Sequence, residues 1–154
     1  MRIYFLFFIF SILFLILDQT IKAVVQYYAT LSNPIFTTDF IDIVLVFNKG
    51  IAFSIGSSFG GLLRWVILIL LILLVILFIK SGEFFKEYYI YCGLIVGAGF
   101  SNLLDRFVYD GVVDYVFWHF LFEFAIFNLA DVTINVSIFL IILSHIKRSL
   151  SSLK

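Results

Sequence analysis

The sequence contains very little cysteine, proline and charge. Cys92 is its single cysteine, which excludes an intrachain disulfide, a paired-thiol site and a zinc site built from several cysteines. Charged residues make up 13% of the chain, and the formal net charge is zero. Because the basic residues are also scattered, the chain lacks the concentrated positive charge of a nucleic-acid-binding protein. We therefore exclude nucleic acid as a partner.

Apolar side chains are in large excess. Hydrophobic residues account for 64% of the sequence, and the mean hydropathy is +1.18, far above the values of a soluble domain. This composition indicates an integral membrane protein. A spanning helix needs roughly 20 apolar residues, so the 154 residues allow for about four such helices and two modest connections. We expect an all-α membrane protein with four transmembrane helices, forming one domain over residues 1–154.

The apolar residues fall into four segments, at residues 3–28, 62–79, 88–104 and 124–145. The first follows Arg2, as the apolar part of a secretory signal peptide would. However, no small-residue cleavage site follows it, and Asp18 interrupts it. The second is interrupted only by Arg64 near one end, where a long side chain reaches the interface. These features favour spanning helices over a cleaved leader.

Two segments carry regularly spaced small or polar residues. In the third segment small residues recur four apart, at Gly93, Gly97 and Ser101. Such a stripe predicts that a neighbouring helix approaches closely. In the fourth segment, Asn128, Asp131 and Asn135 have the three- and four-residue spacing that puts them on one helix face. We expect this polar stripe to face protein or water.

The basic residues indicate the orientation of the chain. If the segments alternate in direction, six lysines and arginines lie on one side: Arg2, Lys80, Lys86, Lys147, Arg148 and Lys154. The positive-inside rule makes that side cytoplasmic, so both termini are predicted in the cytoplasm. All seven aspartates then lie at or beyond the outer ends of the helices. The chemistry is therefore expected on the outer face.

The two outer connections differ in composition. Residues 31–60 contain the only proline, Pro34, and a β-branched and aromatic stretch at 41–47, which predicts one or two short strands. We expect them to form a small extracytoplasmic sheet on the membrane. Residues 107–123 are rich in aromatic side chains, which are typical of segments among lipid headgroups. We expect this periplasmic connection to lie flat at the interface.

Asp131 is a carboxylate within the fourth apolar segment. Burying its charge in lipid costs roughly 3 kcal/mol or more, so such a residue usually has a function. A second carboxylate, Asp114, lies shortly before it. Peptide hydrolysis needs a base to deprotonate water and an acid to protonate the departing amine, and two close carboxylates sharing one proton supply both. The first hypothesis is intramembrane aspartic proteolysis.

The same residues leave other classes of protein open. Intramembrane aspartates also mark ion pathways, so a proton- or ion-coupled transporter component is the alternative. A structural scaffold is a third interpretation, although it leaves the polar positions unexplained. His119 and Glu123, four residues apart, could bind a metal with Asp114 if their connection were helical. Its aromatic composition argues against this, and we predict neither a metal nor a cofactor.

Five polar blocks occur in order along the chain: DQTIK at 18–22, NKGIAF at 48–53, NLLDR at 102–106, GVVD at 111–114 and FNLAD at 127–131. Together they resemble the signature of the lipoprotein signal peptidases, the type II signal peptidases of bacteria. The resemblance covers most of the chain and includes the four-segment layout. Two positions depart from the pattern. Ser101 stands where glycine is usual, and Ile51 is bulkier than the common alanine.

The resemblance implies a role for each matching position. Asp114 and Asp131 align with the catalytic aspartate pair. Four residues match polar positions that line the site and hold the substrate: Asn48, Asn102, Arg106 and Asn128. Three more match positions with mainly structural roles: Asp18, Lys22 and Asp105. The family cleaves diacylglyceryl-modified prolipoproteins just before the lipidated cysteine, at the outer face of the bacterial cytoplasmic (inner) membrane, so membrane lipid and such a prolipoprotein are the expected partners.

Some of these residues also have simpler interpretations. Asp18 and Lys22, four apart, are expected to form an intrahelical ion pair, and we expect Asp105 to pair with its neighbour Arg106. Asn102 and Asn128 could join helices by hydrogen bonds. A structural role for Asp131 would require a buried partner such as Arg106 or Lys22, and Asp114 alone could be an exposed loop carboxylate.

Overall fold

The computed structural model describes residues 1–29, 34–50 and 61–151. Within these ranges the chain forms four helices and three strands. In chain order they are α1 (Arg2–Tyr28), β1 (Phe36–Thr37), β2 (Ile41–Asn48), α2 (Leu62–Lys80), α3 (Glu83–Tyr109), β3 (Val112–Trp118) and α4 (Leu129–Ser151). The helices correspond to the four predicted apolar segments.

Three helices of the described ranges are long and apolar enough to cross a membrane. They are α1, α2 and α4, whose most apolar windows have mean hydropathies of 2.1, 3.3 and 1.9. Many of their apolar side chains are exposed, as expected of helices that face lipid. α3 is 27 residues long, carries charged residues at both ends and packs against each of the other three helices. The bundle is therefore organised around α3.

The small-residue stripe of α3 packs against α1, as predicted. A Cβ atom added to Gly93 would lie 2.7 Å from the backbone oxygen of Phe7, so only glycine permits this approach. The Ser11 hydroxyl donates to the Gly93 carbonyl at 2.9 Å. Further along the stripe, the Ser101 hydroxyl donates to Asp18. The prediction of close helix packing is confirmed.

A three-stranded antiparallel sheet in the order β1-β2-β3 lies where α1 and α3 end and α4 begins, and we call this the sheet end of the molecule. α3 ends at Tyr109 and is followed by Asp110, which adopts a left-handed conformation (φ 58°) that favours helix termination. Gly111 then passes close to the backbone of Asn48. This tight turn brings β3 directly alongside β2, with Val112 opposite Asn48.

The strand β3 was not predicted, and it occupies residues 112–118 of the connection that was expected to lie flat at the interface. Residues 112–118 are largely β-branched and aromatic, and pairing with β2 satisfies their backbone N–H and C=O groups. The aromatic side chains beyond the strand, including Phe120, Phe122 and Phe124, remain exposed. Their seating in the interface stays a prediction.

α4 begins later than the sequence pattern indicated, at Leu129 rather than near Phe124. The backbone of Phe127 is paired with Val116 of β3, through hydrogen bonds of 2.8 and 3.1 Å. The prediction that Asn128 shares a helix face with Asp131 is therefore wrong. Asn128 precedes α4 and caps it. The Tyr115 hydroxyl accepts a hydrogen bond from the Leu129 N–H at 3.1 Å and so fixes the start of α4 against the sheet.

Candidate active site

Asp114 and Asp131 are linked through Asn128. The side-chain Nδ2 of Asn128 donates to Asp114 Oδ1 at 2.8 Å, and its backbone N–H donates to Asp131 Oδ2 at 3.2 Å. In return, the backbone N–H of Asp131 donates to Asn128 Oδ1 at 2.9 Å. This reciprocal arrangement is a capping box, which makes Asp131 part of the first turn of α4. The sheet and the helix thus each supply one carboxylate beside a common asparagine.

Asn48 makes the second contact to Asp114. Its Nδ2 donates to Asp114 Oδ2 at 3.0 Å. The orientation of this amide is fixed because the backbone N–H of Gly50 donates to Asn48 Oδ1 at 3.0 Å. A backbone N–H is a donor only, so the amide oxygen must face Gly50 and the NH₂ group must face Asp114. The turn after β2 therefore orients a donor toward the carboxylate.

Asn102 plays the equivalent part for Asp131. Its Nδ2 donates to Asp131 Oδ1 at 2.9 Å. Two donors face its oxygen, the Lys22 ammonium at 2.8 Å and Asn128 Nδ2 at 3.1 Å. Because an ammonium has no acceptor, the NH₂ group of Asn102 must point to Asp131. Asn102 thereby also connects α1, α3 and α4, which agrees with the predicted helix-joining role.

The surroundings of Asp114 favour its protonated form. The residue is only 2% exposed, and its pKa is raised from 3.8 to about 7, chiefly by this burial. The negative charge of Asp131 acts in the same direction, while the hydrogen bonds from Asn48 and Asn128 and the positive charge of Lys22 partly oppose the rise in pKa. Those amides are neutral and do not cancel the charge of the carboxylate. A proton can therefore reside on Asp114 near neutral pH.

Arg106 lies beside the two carboxylates and is largely buried. Its Nη2 donates to the Gly50 carbonyl at 2.8 Å, and its Nη1 donates to the Asn102 carbonyl at 3.1 Å. The guanidinium thus ties α3 to the turn that follows β2. Asp114 and Asp131 both attract its positive charge, although neither forms an ion pair with it among the described residues. Arg106 is consequently not the ion-pair partner that a purely structural Asp131 would need.

A second group of charged residues lies next to this site, and we call it the ion triad: Asp18, Lys22 and Asp105. The Lys22 ammonium is 2.8 Å from Asp18 and 2.7 Å from Asp105, and all three side chains are fully buried. The predicted pair between Asp18 and Lys22 is confirmed. The predicted pair between Asp105 and Arg106 is wrong, because adjacent residues on a helix point in different directions.

The ion triad is connected to the carboxylate site in two places. Lys22 donates to Asn102, as described above, and the backbone N–H of Val113 donates to Asp105 Oδ2 at 3.2 Å. Val113 directly precedes Asp114 in β3. Gln19 supports the same cluster through a 2.7 Å hydrogen bond to Asp105. The triad therefore anchors the strand that carries Asp114.

A cavity of about 720 Å³ opens beside the carboxylates. At one end it is bounded by polar site residues, namely Asn48, Asn102, Arg106, Asp114 and Asp131. Away from them it is lined mainly by apolar side chains of α2, α4 and the segment before α4, among them Ile67, Leu70, Leu71, Phe124, Phe127, Val132 and Val136. Asn128 is fully buried and is not part of this lining. The cavity therefore suits a ligand with both a polar and a large apolar part.

His119 lies apart from the cavity. Its Nε2 is 3.3 Å from Asp42 of β2, and Glu123 is not part of this contact. Among the residues that the structure describes, no three histidine, cysteine, aspartate or glutamate side chains converge as a potential metal site. His119, Glu123 and Asp114 therefore do not form such a group within the described residues.

Some parts of the site were not predicted. The sequence pattern did not identify the roles of the Gly50 backbone, the Val113 N–H or the Tyr115 hydroxyl, because each of these contacts involves a main-chain group and such contacts leave little trace in residue type. A signal existed for Gly50, since a glycine directly after a polar residue and a strand favours a turn. The block residues at 51–53 lie outside the described ranges.

Comparison with known proteins agrees with this arrangement. The family described as signal peptidase (SPase) II matches residues 10–147. Three relatives, each called lipoprotein signal peptidase, cover most of the chain. That of Helicobacter acinonychis is 48% identical over 85% of this chain and 82% of its own length. That of Wolinella succinogenes is 43% identical over 79% of this chain and 80% of its own length. That of Campylobacter jejuni is 40% identical over 88% of this chain and 83% of its own length.

Solved structures with the same fold are also known. One bacterial membrane enzyme is 26% identical, with a TM-score of 0.73 over 92% of this chain and 87% of that one. A second bacterial membrane enzyme has the same TM-score over 90% of this chain and 91% of that one. Its sequence identity is 23%, so this likeness supports the fold alone. The family match spans nearly the whole chain and contains every residue of the carboxylate site. The chain therefore belongs to the signal peptidase II family of membrane peptidases.

Proposed function

We propose that this protein removes signal peptides from diacylglyceryl-modified bacterial prolipoproteins and cleaves just before the lipidated cysteine. The relatives named lipoprotein signal peptidase support this substrate class. The observation that carries the proposal is the pairing of Asp114 and Asp131 around Asn128, beside a cavity that is polar at one end and apolar at the other. No observation favours the transporter alternative.

In the proposed reaction the aspartate pair holds one proton. The ionised carboxylate removes a proton from water, whose oxygen attacks the carbonyl carbon before the lipidated cysteine. The neutral carboxylic acid donates its proton to the cysteine nitrogen as the carbon–nitrogen bond breaks. The raised pKa of Asp114 supports a singly protonated pair near neutral pH. Water and the two carboxylates supply every proton and oxygen that this hydrolysis requires.

The polar residues around the pair take two roles in this proposal. Asn48, Asn102 and Arg106 border the cavity and are positioned to contact the substrate. Asn128 is fully buried, so we assign it the positioning of both carboxylates rather than substrate contact. The ion triad keeps the mainly structural role that the family resemblance implies.

We further propose that the chain is a single peptidase domain of the inner membrane, with four transmembrane helices, cytoplasmic termini and the sheet end at the outer face. The length of α3 and its central packing support a fourth span. In a Cys92→Ser background, a cysteine introduced at Ser81 should react from the cytoplasm, and one at Asp39 from the outside. Labelling of residue 81 from outside would overturn this orientation.

The function is tested with purified protein in detergent and one prolipoprotein prepared with and without its diacylglyceryl group. Mass spectrometry identifies the cleaved bond. We expect cleavage directly before the lipidated cysteine and little cleavage of the unlipidated chain, because each buried methylene contributes about 0.8 kcal/mol to binding. Equal rates for the two substrates would contradict recognition of the lipid, and failure to cleave either would contradict the proposed function.

A further inference from the structure

Asn135 is a polar residue that the site described above does not use. It lies in α4 four residues after Asp131, and therefore on the same helix face, about 6 Å further along the axis. Its side chain is exposed, and it lines the 720 Å³ cavity. Within the described part of the chain its amide has no hydrogen-bond partner.

The wall of the cavity around Asn135 is otherwise apolar. Its nearest neighbours along α4, Ile134 and Val136, line the same cavity, and α2 contributes Leu70 and Leu71. An amide donor at this position can bind an oxygen acceptor of a molecule that occupies the cavity. Because no side chain or backbone group of the described residues engages it, the amide is available for such a contact. A ligand with an oxygen acceptor embedded in an apolar region fits this position.

We propose that the side-chain amide of Asn135 donates a hydrogen bond to a carbonyl oxygen of the bound substrate. This inference rests on the proposed function, which supplies a substrate with two kinds of carbonyl. One kind is the ester carbonyl that joins an acyl chain to the glyceryl group, and the other is a peptide carbonyl near the cleavage point. Asn135 is then a specificity-determining residue, distinct from the groups that carry out hydrolysis.

The geometry favours the ester carbonyl. Seven bonds separate the nitrogen of the scissile bond from the first ester carbonyl carbon, a reach of up to about 8 Å when extended. The separation of about one helical turn between Asp131 and Asn135 falls within this reach. An ester offers acceptors but no donor, so it pairs with the NH₂ group of an amide, and the acyl chain beyond it would lie against the apolar wall.

The test compares two variants on two substrates. Asn135→Leu keeps the size of the side chain but removes the donor, and Val136→Leu is the matched control because it changes the same cavity wall without removing a polar group. The substrates are one prolipoprotein peptide carrying either a diacylglyceryl (ester) or a dialkylglyceryl (ether) cysteine. For the ester substrate we expect kcat/KM of Asn135→Leu to fall about fivefold to tenfold, the effect of one hydrogen bond.

The two substrates distinguish the two carbonyls. A loss with the ester substrate and none with the ether substrate identifies the ester carbonyl, whereas an equal loss with both identifies a peptide carbonyl. A loss no larger than that of Val136→Leu on either substrate would overturn the proposal. Wild-type protein that cleaves neither substrate would instead contradict the proposed function. Since Asn135 is exposed, thermal stability of Asn135→Leu should match wild type, which separates a binding defect from misfolding.

Discussion

Two neighbouring groups of buried aspartates at the sheet end have opposite electrostatic surroundings. In the ion triad, Asp18 and Asp105 both lie within 2.8 Å of the Lys22 ammonium. In the carboxylate site, the direct partners of Asp114 and Asp131 are neutral amides and backbone N–H groups. The carboxylates of the first group bond directly to a charged group, and those of the second bond directly only to neutral dipoles.

This difference explains how one residue type serves two purposes in one small protein. An ammonium that binds two carboxylates joins the helices that carry the three groups. Amide donors orient a carboxylate but leave the cost of burying its charge largely in place, so that burial raises the pKa of Asp114 to about 7. The triad is thus suited to hold α1 and α3 together, and the Asp114–Asp131 pair to exchange protons.

The largest expected effect comes from removing the proton chemistry itself. Asp114→Asn and Asp131→Asn should each reduce cleavage by roughly 10²- to 10⁴-fold or more, because the amide keeps the shape of the carboxylate but neither accepts nor delivers the proton. Cleavage of a lipidated prolipoprotein is the measurement, and unchanged membrane insertion and thermal stability are the control. Near-normal turnover in either variant would contradict the assignment of the pair.

The second prediction breaks the ion triad instead. Lys22→Met should destabilise the protein by about 3–5 kcal/mol, because it leaves two buried carboxylates without a counter-charge. Adding Asp18→Asn and Asp105→Asn should restore much of the lost stability, measured as thermal unfolding in detergent. Lys86→Met is the matched control, since its pair with Glu83 is exposed and exposed pairs contribute little. Equal destabilisation by Lys22→Met and Lys86→Met would show that the triad is not important for stability.

The features that were predicted from the sequence depend on local patterns. The helices follow from the length of each apolar run, and the packing of α1 on α3 follows from the spacing of Gly93 and Gly97. The pairing of Asp114 with Asp131 was expected because a carboxylate in an apolar segment needs a functional reason and a second carboxylate lies shortly before it, and the family resemblance implied the same pair.

The features that were missed depend on contacts between distant segments. β3 forms because β2 offers an edge to residues 112–118, whose β-branched and aromatic side chains suit a strand but were interpreted as part of an interfacial segment. The late start of α4 has the same origin, since pairing of Phe127 with Val116 holds that residue in extended conformation. The ion pair of Asp105 with Lys22 depends on how α1 meets α3. In each case tertiary pairing overrode the local preference.

The third prediction concerns the Arg106 guanidinium beside the carboxylate site. Arg106→Lys should lower kcat/KM about tenfold, because an ammonium cannot hold the Gly50 and Asn102 carbonyls together in the planar geometry seen here. Arg148→Lys is the matched control, because Arg148 is an exposed residue near the opposite end of the bundle. Full activity of Arg106→Lys would mean that only the positive charge at residue 106 matters.

The smallest expected effect is a shift in pH dependence. The folded state binds a proton on Asp114 up to about pH 7, whereas the unfolded chain releases it near 3.8. Stability should therefore decline as the pH rises through this window, and Asp114→Asn should remove the decline. Cleavage should likewise fall above about pH 7, where the pair loses its shared proton.

Asn48→Ala sharpens this comparison because it removes a hydrogen bond that lowers the pKa of Asp114. The alkaline limb of the pH–rate profile should then move to higher pH, even though the maximal rate also falls. The position of the limb is independent of that rate, so it reports on the carboxylate rather than on substrate binding.

A second variant, Lys22→Gln, retains a donor toward Asn102 but removes the positive charge of residue 22. Lys22 also lowers the pKa of Asp114, so this variant should move the limb in the same direction. A limb that moves to lower pH in Asn48→Ala would refute the view that amide donors hold the pKa of Asp114 down.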